Sequence, residues 1–278
     1  MLLKLQSRTI DLSGRTYIMG IINCTPDSFY GESRRTTLQE AVDVGVRMVA
    51  EGADFLDVGG ESSRPGSEPV TTEEEMRRVL PVIEQLAREV DVPISVDTYK
   101  ASVAERALDC GAEIINDISA LQYDSDLARI AATYEAVLVL MHIKGRPKEM
   151  QLNPAYDDVV HEIYQYLEER LNTARKAGIA RDKIILDPGI GFGKRLRDNY
   201  EITQHLDRFA VLGCPILFGA SRKSFLSNVL DLPAGECLEA TIAVNAIALL
   251  RGAHILRVHD VKEAKRAAQV VDYLIRNT

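Results

Sequence analysis

The stretch Tyr17-Ile18-Met19-Gly20-Ile21-Ile22 is an apolar run, and the polar residues Asn23-Cys24-Thr25-Pro26-Asp27-Ser28 follow it at once. A short run that is apolar at consecutive positions is typical of a strand buried on both faces, as in a parallel sheet. Seven similar runs follow along the chain, at 55–58, 94–96, 114–118, 136–141, 184–186, 215–218 and 255–258. The sequence therefore predicts eight parallel strands.

Stretches of helical period separate most of these runs, at 38–51, 73–90, 99–110, 157–177 and, after the last strand, 261–275. An open doubly wound sheet would also alternate strands with helices. The count of eight and the length of 278 residues favour a (β/α)8 TIM barrel, which typically has about 250. The opening segment 3–12 predicts a short N-terminal hairpin that plugs the bottom of the barrel. Because no linker or repeat interrupts the pattern, we expect a single domain over 1–278.

The composition excludes several classes of protein. Hydrophobic residues make up 46% of the chain and charged residues 27%, which is typical of a globular protein. The net charge of −8 argues against a nucleic-acid partner bound through a broad basic face. The four cysteines are scattered without metal-site spacing, no signal peptide is recognisable, and no apolar run approaches the ~20 residues of a membrane span. A soluble, cytoplasmic protein without a membrane partner is predicted.

Polar side chains stand at or beside the end of nearly every predicted strand. The candidates are Asn23, Ser63, Arg64, Asp97, Asn116, His142, Asp187, Ser221, Lys223, Arg257 and His259. In a (β/α)8 barrel the carboxyl ends of all strands meet at one rim, which carries the active site. This regularity predicts an enzyme.

Some of these groups also have a plain structural interpretation. Asn116 lies in an apolar run, where an unpaired amide is costly, so either a ligand or a buried network is expected to satisfy it. Lys223 is expected in the first turn of a helix capped by Ser221, where a cation opposes the helix dipole. Asp260 is expected to cap the last helix.

A cationic pocket is predicted from four residues. Arg257 and His259 are two positions apart and so point to the same face of a strand. With Arg64 and Lys223 they would attract an anion such as a diphosphate. The run 189–194 looks like a phosphate loop, but Arg195 stands where the Walker motif needs Ser or Thr. The histidines form no HExxH or other metal-binding pattern.

Several long blocks together resemble those of the dihydropteroate synthase family, in order and over essentially the whole chain. They are 19–29, 57–66, 96–98, 115–117, 187–194, 221–224 and 257–260. The resemblance implies a (β/α)8 barrel that condenses a dihydropterin methyl diphosphate with p-aminobenzoate, releasing diphosphate through a pterin cation. It also implies Mg²⁺ as cofactor and a homodimer formed through helices.

The resemblance also implies roles for individual residues. By position, Asp97, Asn116 and Asp187 look like the deep pterin site, with Phe192 among the substrate-binding residues. The implied catalytic residues are Lys223, Arg64 and Arg257, with Lys223 facing the pterin carbonyl and Arg257 stacking on the ring. Asn23, Ser63 and His259 resemble diphosphate ligands, Asn23 also the magnesium ligand, and Ser221 resembles the p-aminobenzoate end.

Two departures from the family pattern leave alternatives open. After Phe29 the chain reads Tyr30-Gly31-Glu32-Ser33 in place of the usual run, and Ser63 stands where threonine is common. A pterin-binding corrinoid methyltransferase would share the acid and amide groups but has no need of the Ser221-Arg222-Lys223 block. A pterin-binding paralogue without turnover is the other alternative.

Overall fold

The computed structural model describes residues 1–24 and 34–277, so the predictions for residues 25–33 lie outside the described part. The strands in that part are β1 (Leu2–Lys4), β2 (Thr9–Asp11), β3 (Tyr17–Asn23), β4 (Phe55–Gly59), β5 (Ile94–Asp97), β6 (Ile114–Asp117), β7 (Val137–Met141), β8 (Ile184–Asp187), β9 (Leu217–Phe218) and β10 (Ile255–Val258). The helices are α1 (Arg34–Ala50), α2 (Thr72–Glu89), α3 (Ala101–Asp109), α4 (Leu127–Thr133), α5 (Val159–Lys176), α6 (Leu196–Gln204), α7 (Ser224–Leu230), α8 (Leu238–Leu250) and α9 (Val261–Asn277).

Eight strands form one parallel sheet in the order β8-β7-β6-β5-β4-β3-β10-β9. The sheet closes between its first and last strands through a parallel bridge from Leu186 to Ile216 and the hydrogen bond from Leu186 N–H to Pro215 O, 2.9 Å long. The predicted (β/α)8 barrel is confirmed. Each of the eight predicted apolar runs is a strand, with ends that move by one or two residues.

The N-terminal hairpin is also confirmed, and it fills the amino-terminal end of the barrel. β1 and β2 pair antiparallel, with Leu3 opposite Ile10. Leu3, Leu5 and Leu12 are buried in one cluster with inward-facing residues of the strands, among them Phe55 and Met19. Burying a leucine side chain stabilises a fold by roughly 1.5–3 kcal/mol, so this cluster is a substantial part of the core.

The helices form the outer layer, and their inner faces pack on the outward-facing apolar residues of the strands. The three helices α4, α6 and α8 were not among the predicted helical stretches, and of α7 only a start after Ser221 was predicted. α4 and α7 have only seven residues each. α8 is apolar on most of its faces, so its sequence carries little helical period. Within residues 1–24 and 34–277, no helix is long and apolar enough to cross a membrane.

Candidate active site at the carboxyl ends of the strands

The strand register places polar residues from neighbouring strands at one level of the rim. Asn23 pairs with Gly59, Gly59 with Asp97, and Asp97 with Asn116. Residues paired in parallel register point their side chains the same way, so Asp97 and Asn116 lie side by side. Asn23 is exposed at the end of β3, whereas Asn116 is only 4% exposed.

Arg257 connects this row to a second buried carboxylate. Its Nε donates to Oδ2 of Asp57 over 2.6 Å, and its Nη2 donates to Oδ2 of Asp97 over 2.7 Å. Burial raises the pKa of Asp97, and the charge of Arg257 opposes that shift. For Arg257 itself, burial lowers the pKa but the two carboxylates raise it further, so the guanidinium is a permanent cation.

Asp187 lies at the end of β8. With Asp97 and Asn116 it forms the polar surface that we call the floor of the site. Asp187 is 6% exposed, and its Oδ1 accepts a hydrogen bond from the N–H of Gly189 over 2.7 Å. Burial raises its pKa, and the nearby cation of Lys223 opposes the rise. At the level of the rim the barrel thus holds two inward carboxylates, Asp97 and Asp187, and the strand of Asn116 lies between their strands in the sheet order. Asp57 lies one layer deeper.

Lys223 is held by the loop that follows Asp187. Its Nζ donates to the carbonyl oxygen of Ile190 and lies 4.5 Å from the ring centroid of Phe192. Gly191 has φ +82°, and a Cβ there would stand 3.1 Å from Cδ of Lys223. Burial lowers the pKa of Lys223 to about 8, with Asp187 opposing the shift. The ammonium group of Lys223 is therefore charged at neutral pH and loses its proton near pH 8.

Lys194, which closes the loop, has a different role from a phosphate-binding lysine. It is 3% exposed, and its Nζ lies 2.9 Å from Nδ1 of His142 and 3.0 Å from the carbonyl oxygen of Phe192, to which it donates. A third contact runs to the carbonyl oxygen of His142. Burial lowers its pKa well below the ordinary value. The side chain of Lys194 therefore stabilises the 189–194 loop from its buried side. Since its Nζ is engaged within the protein, this geometry is consistent with the rejection of a Walker motif.

Ser221 and His259 form a pair across the gap between β9 and β10. The hydroxyl oxygen of Ser221 accepts from the backbone N–H of His259 over 3.2 Å and lies 3.0 Å from its Nδ1. Because a serine oxygen can accept two hydrogen bonds as well as donate one, the contact with Nδ1 forms with either neutral tautomer of the ring. Burial, and then the charge of Arg257, lowers the pKa of His259 to about 4. The expectation of a cationic His259 is therefore wrong, because the ring is a neutral N–H donor.

One prediction about a helix start is corrected and a second is confirmed in position. Asp260 directly precedes α9, as expected of its cap, whereas Ser221 does not cap the helix after β9. The helix after β9 begins at Ser224, with Lys223 at the cap position, and the Ser221 hydroxyl is used by His259 rather than by the helix. The carboxylate of Asp260 accepts from Arg222, at 2.6 Å from Nη2. Both pairs join residues 38 positions apart. Local sequence signals could not have revealed them.

Ser63 and Arg64 lie in the loop between β4 and α2. A largely buried cluster of ion pairs holds the start of this loop in place. Glu61 accepts from Nζ of Lys100 over 2.6 Å, and the same Nζ donates to Glu75 over 2.5 Å. The loop leaves Ser63 half-buried and Arg64 exposed. Arg64 is near enough to His259 to contribute to the lowering of the pKa of that residue.

An apolar wall, of which the sequence analysis had named only Phe192, lies beside the acidic floor. It consists of Ile118, Met141, Ile143, Met150 and Phe192. Met141 is the register partner of Asp187. The signal was present in the sequence, since Ile118 follows Asn116-Asp117 and Met141 ends a strand, but apolar residues at strand ends also occur in ordinary cores.

Floor, wall and cations together define a class of protein: a (β/α)8-barrel enzyme whose rim can hold a flat, nitrogen-bearing ring against carboxylate and amide acceptors, with an anion beside it. A family model described as pterin binding enzyme matches residues 19–259. The chain belongs to this family.

The similar proteins share one name. The dihydropteroate synthase of Clostridium beijerinckii is 44% identical over 99% of this chain and 100% of its own length. The structure of Yersinia pestis dihydropteroate synthase with a sulfonamide drug complex has a TM-score of 0.94 and 41% identity, covering 100% of both chains. The Xanthomonas albilineans enzyme in complex with 7,8-dihydropteroate has a TM-score of 0.87 and 37% identity, covering 99% of this chain and 98% of the other.

Proposed function

We propose that this chain is a transferase that condenses 6-hydroxymethyl-7,8-dihydropterin diphosphate with p-aminobenzoate to give 7,8-dihydropteroate and diphosphate, a step of folate biosynthesis. The observation that carries the proposal is the set of Asn116 and Asp187, both buried, and the largely buried Asp97, beside Lys223 and Arg257. The chain also matches the dihydropteroate synthase of Clostridium beijerinckii over its whole length. One domain over 1–278 supplies the site.

The floor suits the pterin ring because that ring presents N–H groups along one edge. Asp97, Asn116 and Asp187 accept these hydrogen bonds, and the two carboxylates make them charge-assisted. Lys223 donates to the ring carbonyl from above Phe192. The apolar wall excludes water from the ring faces, which strengthens each polar contact.

The rim suits the diphosphate. Arg257 donates through Nε and Nη2 to its two carboxylate partners. Its planar face is left for stacking on the ring, and its outer N–H groups are left for the anion. Arg64 on its exposed loop, the hydroxyl of Ser63 and the ring N–H of His259 are further donors. Asn23 completes the set from β3.

The chemistry needs no protein nucleophile. The bond from the pterin methylene carbon to the diphosphate oxygen breaks, and its electron pair leaves with diphosphate. The ring nitrogens delocalise the cation that remains. The aniline nitrogen of p-aminobenzoate then forms the new C–N bond and loses a proton to water. Arg64, Arg257 and Lys223 stabilise the departing charge and hold the reactants in line, which is where the rate enhancement arises.

Magnesium fits the rim as an ion that arrives with the diphosphate. Asn23 offers a carbonyl oxygen, a hard ligand, from an exposed position. Within residues 1–24 and 34–277 no group of three His, Cys, Asp or Glu side chains is placed to hold a metal. Mg²⁺ commonly keeps several waters and binds few protein oxygens plus substrate phosphates, so Asn23 is sufficient as its protein ligand. When bound, the ion neutralises charge on the leaving diphosphate.

The acceptor site is proposed at Ser221, at the edge of the rim next to Lys223. Ser221 is 5% exposed and held by His259, so it forms a rigid side of the pocket. The order of the rim is then pterin at the floor, diphosphate toward Arg64 and His259, and p-aminobenzoate toward Ser221.

We also propose a cytoplasmic homodimer. α8 and α9 pack against each other and expose Ile247, Leu250, Val270 and Ile275, which are 46%, 54%, 71% and 50% exposed. A second copy of the chain is the expected occupant of this apolar surface, as the family resemblance implies. Sedimentation equilibrium should give twice the chain mass for the wild type and one chain mass for Val270→Glu; a monomeric wild type would overturn the dimer.

The function is tested with pure protein, Mg²⁺, dihydropterin diphosphate and p-aminobenzoate. Dihydropteroate and diphosphate should appear in equal amounts, and omission of p-aminobenzoate should abolish dihydropteroate. Binding of the pterin without product would identify a silent pterin-binding protein. Methyl transfer to a corrinoid protein in place of condensation would identify a methyltransferase.

A further inference from the structure

Asp57 lies in the interior of the barrel between the apolar plug and the proposed pterin site. It is a fully buried, inward-facing residue of β4. It lies two positions after Phe55, which packs in the cluster around Leu3, Leu5 and Leu12 of the hairpin, here called the plug cluster. The proposed reaction gives it no contact with substrate. A carboxylate at this depth is expensive unless it has charged or hydrogen-bonding partners.

One oxygen of Asp57 has two partners, which come from strands on either side of β4. Oδ2 accepts from Nε of Arg257 over 2.6 Å and from Nδ2 of Asn116 over 3.0 Å. Arg257 is on β10 and Asn116 on β6, so each lies two strands away in the sheet order. Asp57 is therefore a junction between two residues that the proposed function places against the pterin.

The contact with Asn116 sets the direction of its amide. Because Nδ2 points to Asp57, the carbonyl oxygen Oδ1 points to the other side and is available as an acceptor. A reversed amide would present N–H₂ to the ring, which is a mismatch for a ligand edge that donates. The charge of Asp57 makes the observed orientation the favoured one, since a carboxylate only accepts.

The guanidinium of Arg257 donates from two different nitrogens to two different carboxylates. Asp57 takes Nε, and Asp97 takes Nη2 through Oδ2 alone. Without Asp57, only Asp97 of these two carboxylates would be left to accept from the guanidinium of Arg257. Both oxygens of Asp97 would then be drawn to the arginine, and Oδ1 would no longer be free for the ligand.

We infer that Asp57 is a positioning residue that determines the specificity of the site for a ring edge donating N–H groups, by orienting the amide of Asn116 and dividing Arg257 between two carboxylates. This inference rests on the proposed function, because it concerns the pterin half of the same site.

The substitution Asp57→Asn removes the charge with almost no change of shape. The amide oxygen can accept at the position of Oδ2, but an amide also donates, so it no longer favours one orientation of Asn116 as a carboxylate does. The new N–H₂ enters the layer that contains Ser95, the register partner of Asp57 on β5. Within the described residues, Oδ1 of Asp57 and Oγ of Ser95 have no hydrogen-bond partner. The new N–H₂ therefore replaces an oxygen that has no hydrogen bond to lose, and we expect the variant to fold.

The test compares Asp57→Asn with Asp54→Asn, a matched control. Asp54 is likewise a carboxylate with two side-chain donors, here the cations Arg15 and Lys265, but it lies at the opposite end of β4. Asp57→Asn should raise the KM for dihydropterin diphosphate roughly 10- to 100-fold, the range of a lost charged hydrogen bond. The KM for p-aminobenzoate should stay within about threefold. Asp54→Asn should leave both KM values unchanged.

A double-mutant cycle separates positioning from a general loss of structure. In an Asn116→Ala background, Asp57→Asn should raise the pterin KM by clearly less than in the wild type, because part of its effect passes through Asn116. Equal effects in both backgrounds, an unchanged pterin KM in Asp57→Asn, or the same KM change in Asp54→Asn would each overturn the inference.

A wild-type measurement covers the case in which Asp57→Asn does not fold. In ¹H–¹⁵N spectra, the Asn116 side-chain amide, assigned by its absence in Asn116→Ala, should exchange slowly with solvent without any ligand. Fast exchange in the folded wild type would overturn the inference. Failure of the wild type to make dihydropteroate concerns the proposed function instead, and the two failures are thus distinguishable.

Discussion

The two ends of the barrel bury side chains of opposite chemistry. At the amino-terminal end, Leu3, Leu5 and Leu12 of the hairpin fill the space between the strands. At the carboxyl-terminal end the same strands enclose Asp57, Asp97, Asn116, Asp187 and Arg257. Apolar burial stabilises the fold directly, whereas buried ionised groups seldom do so even when paired. The contrast indicates that stability resides mainly at the plug and that the rim is kept polar for binding and chemistry.

The largest effect that this comparison predicts is on turnover at the rim. Lys223→Ala removes a cation from the proposed pterin and diphosphate region, and kcat/KM should fall about 10³-fold, as for the loss of a group that stabilises developing charge. The free energy of unfolding should change little, because a half-buried cation in the rim adds no net stability. Steady-state kinetics and urea unfolding provide the two measurements.

Lys4→Ala is the matched control, since Lys4 is an exposed lysine on β1 at the other end of the barrel. It should retain wild-type kinetics. A Lys223→Ala variant with near-normal turnover would contradict the assignment of the rim.

The second effect is on stability at the plug. Leu12 is 2% exposed in the plug cluster, and Leu12→Ala leaves a cavity there. The free energy of unfolding should fall by about 2–5 kcal/mol, while kcat/KM of the folded enzyme stays within about twofold. The contrast between the ends fails if Leu12→Ala unfolds at the wild-type urea concentration, or if the folded variant loses most of its activity.

The smallest effect is a pH dependence that arises at the rim alone. Burial lowers the pKa of Lys223 to about 8, so its donor cation is present below that pH and is lost above it. The kcat/KM for the pterin substrate should therefore decline about tenfold per pH unit above 8. Lys223→Arg keeps the charge, because arginine does not titrate in this range, and should remove the decline while lowering the rate. An unchanged decline in Lys223→Arg would assign the titration to another group.

The sequence was sufficient for the barrel because each strand is a short run that is apolar on both faces, with a polar residue at its end. The hairpin plug followed from the opening segment for a similar reason. α8 escaped prediction because it is apolar on most faces, and α4 because it is too short to show a helical period. α7 is equally short, and it was expected only through the supposed cap at Ser221. Local periodicity identifies elements only when one face differs from the other.

Within the rim, the sequence identified the polar residues but not their pairings. Asp57 binds Arg257 across 200 positions, and Lys100 binds Glu61 across 39. Ser221 resembled a helix cap because serine favours that position, yet its partner is His259. His259 was expected to be charged, but burial and the neighbouring arginines make it neutral. Tertiary contacts determine such features, and one sequence does not reveal them.

Calorimetric titration of 6-hydroxymethyl-7,8-dihydropterin diphosphate in the presence of Mg²⁺ tests the contrast between the two ends most directly. The wild type and Leu12→Ala should bind with the same Kd, while Asp97→Ala, which removes a floor acceptor and a partner of Arg257, should bind at least about 30-fold more weakly. Unfolding of the same proteins should rank them in a different order, with Leu12→Ala the least stable. Wild-type affinity in Asp97→Ala, or weakened affinity in Leu12→Ala, would contradict the account.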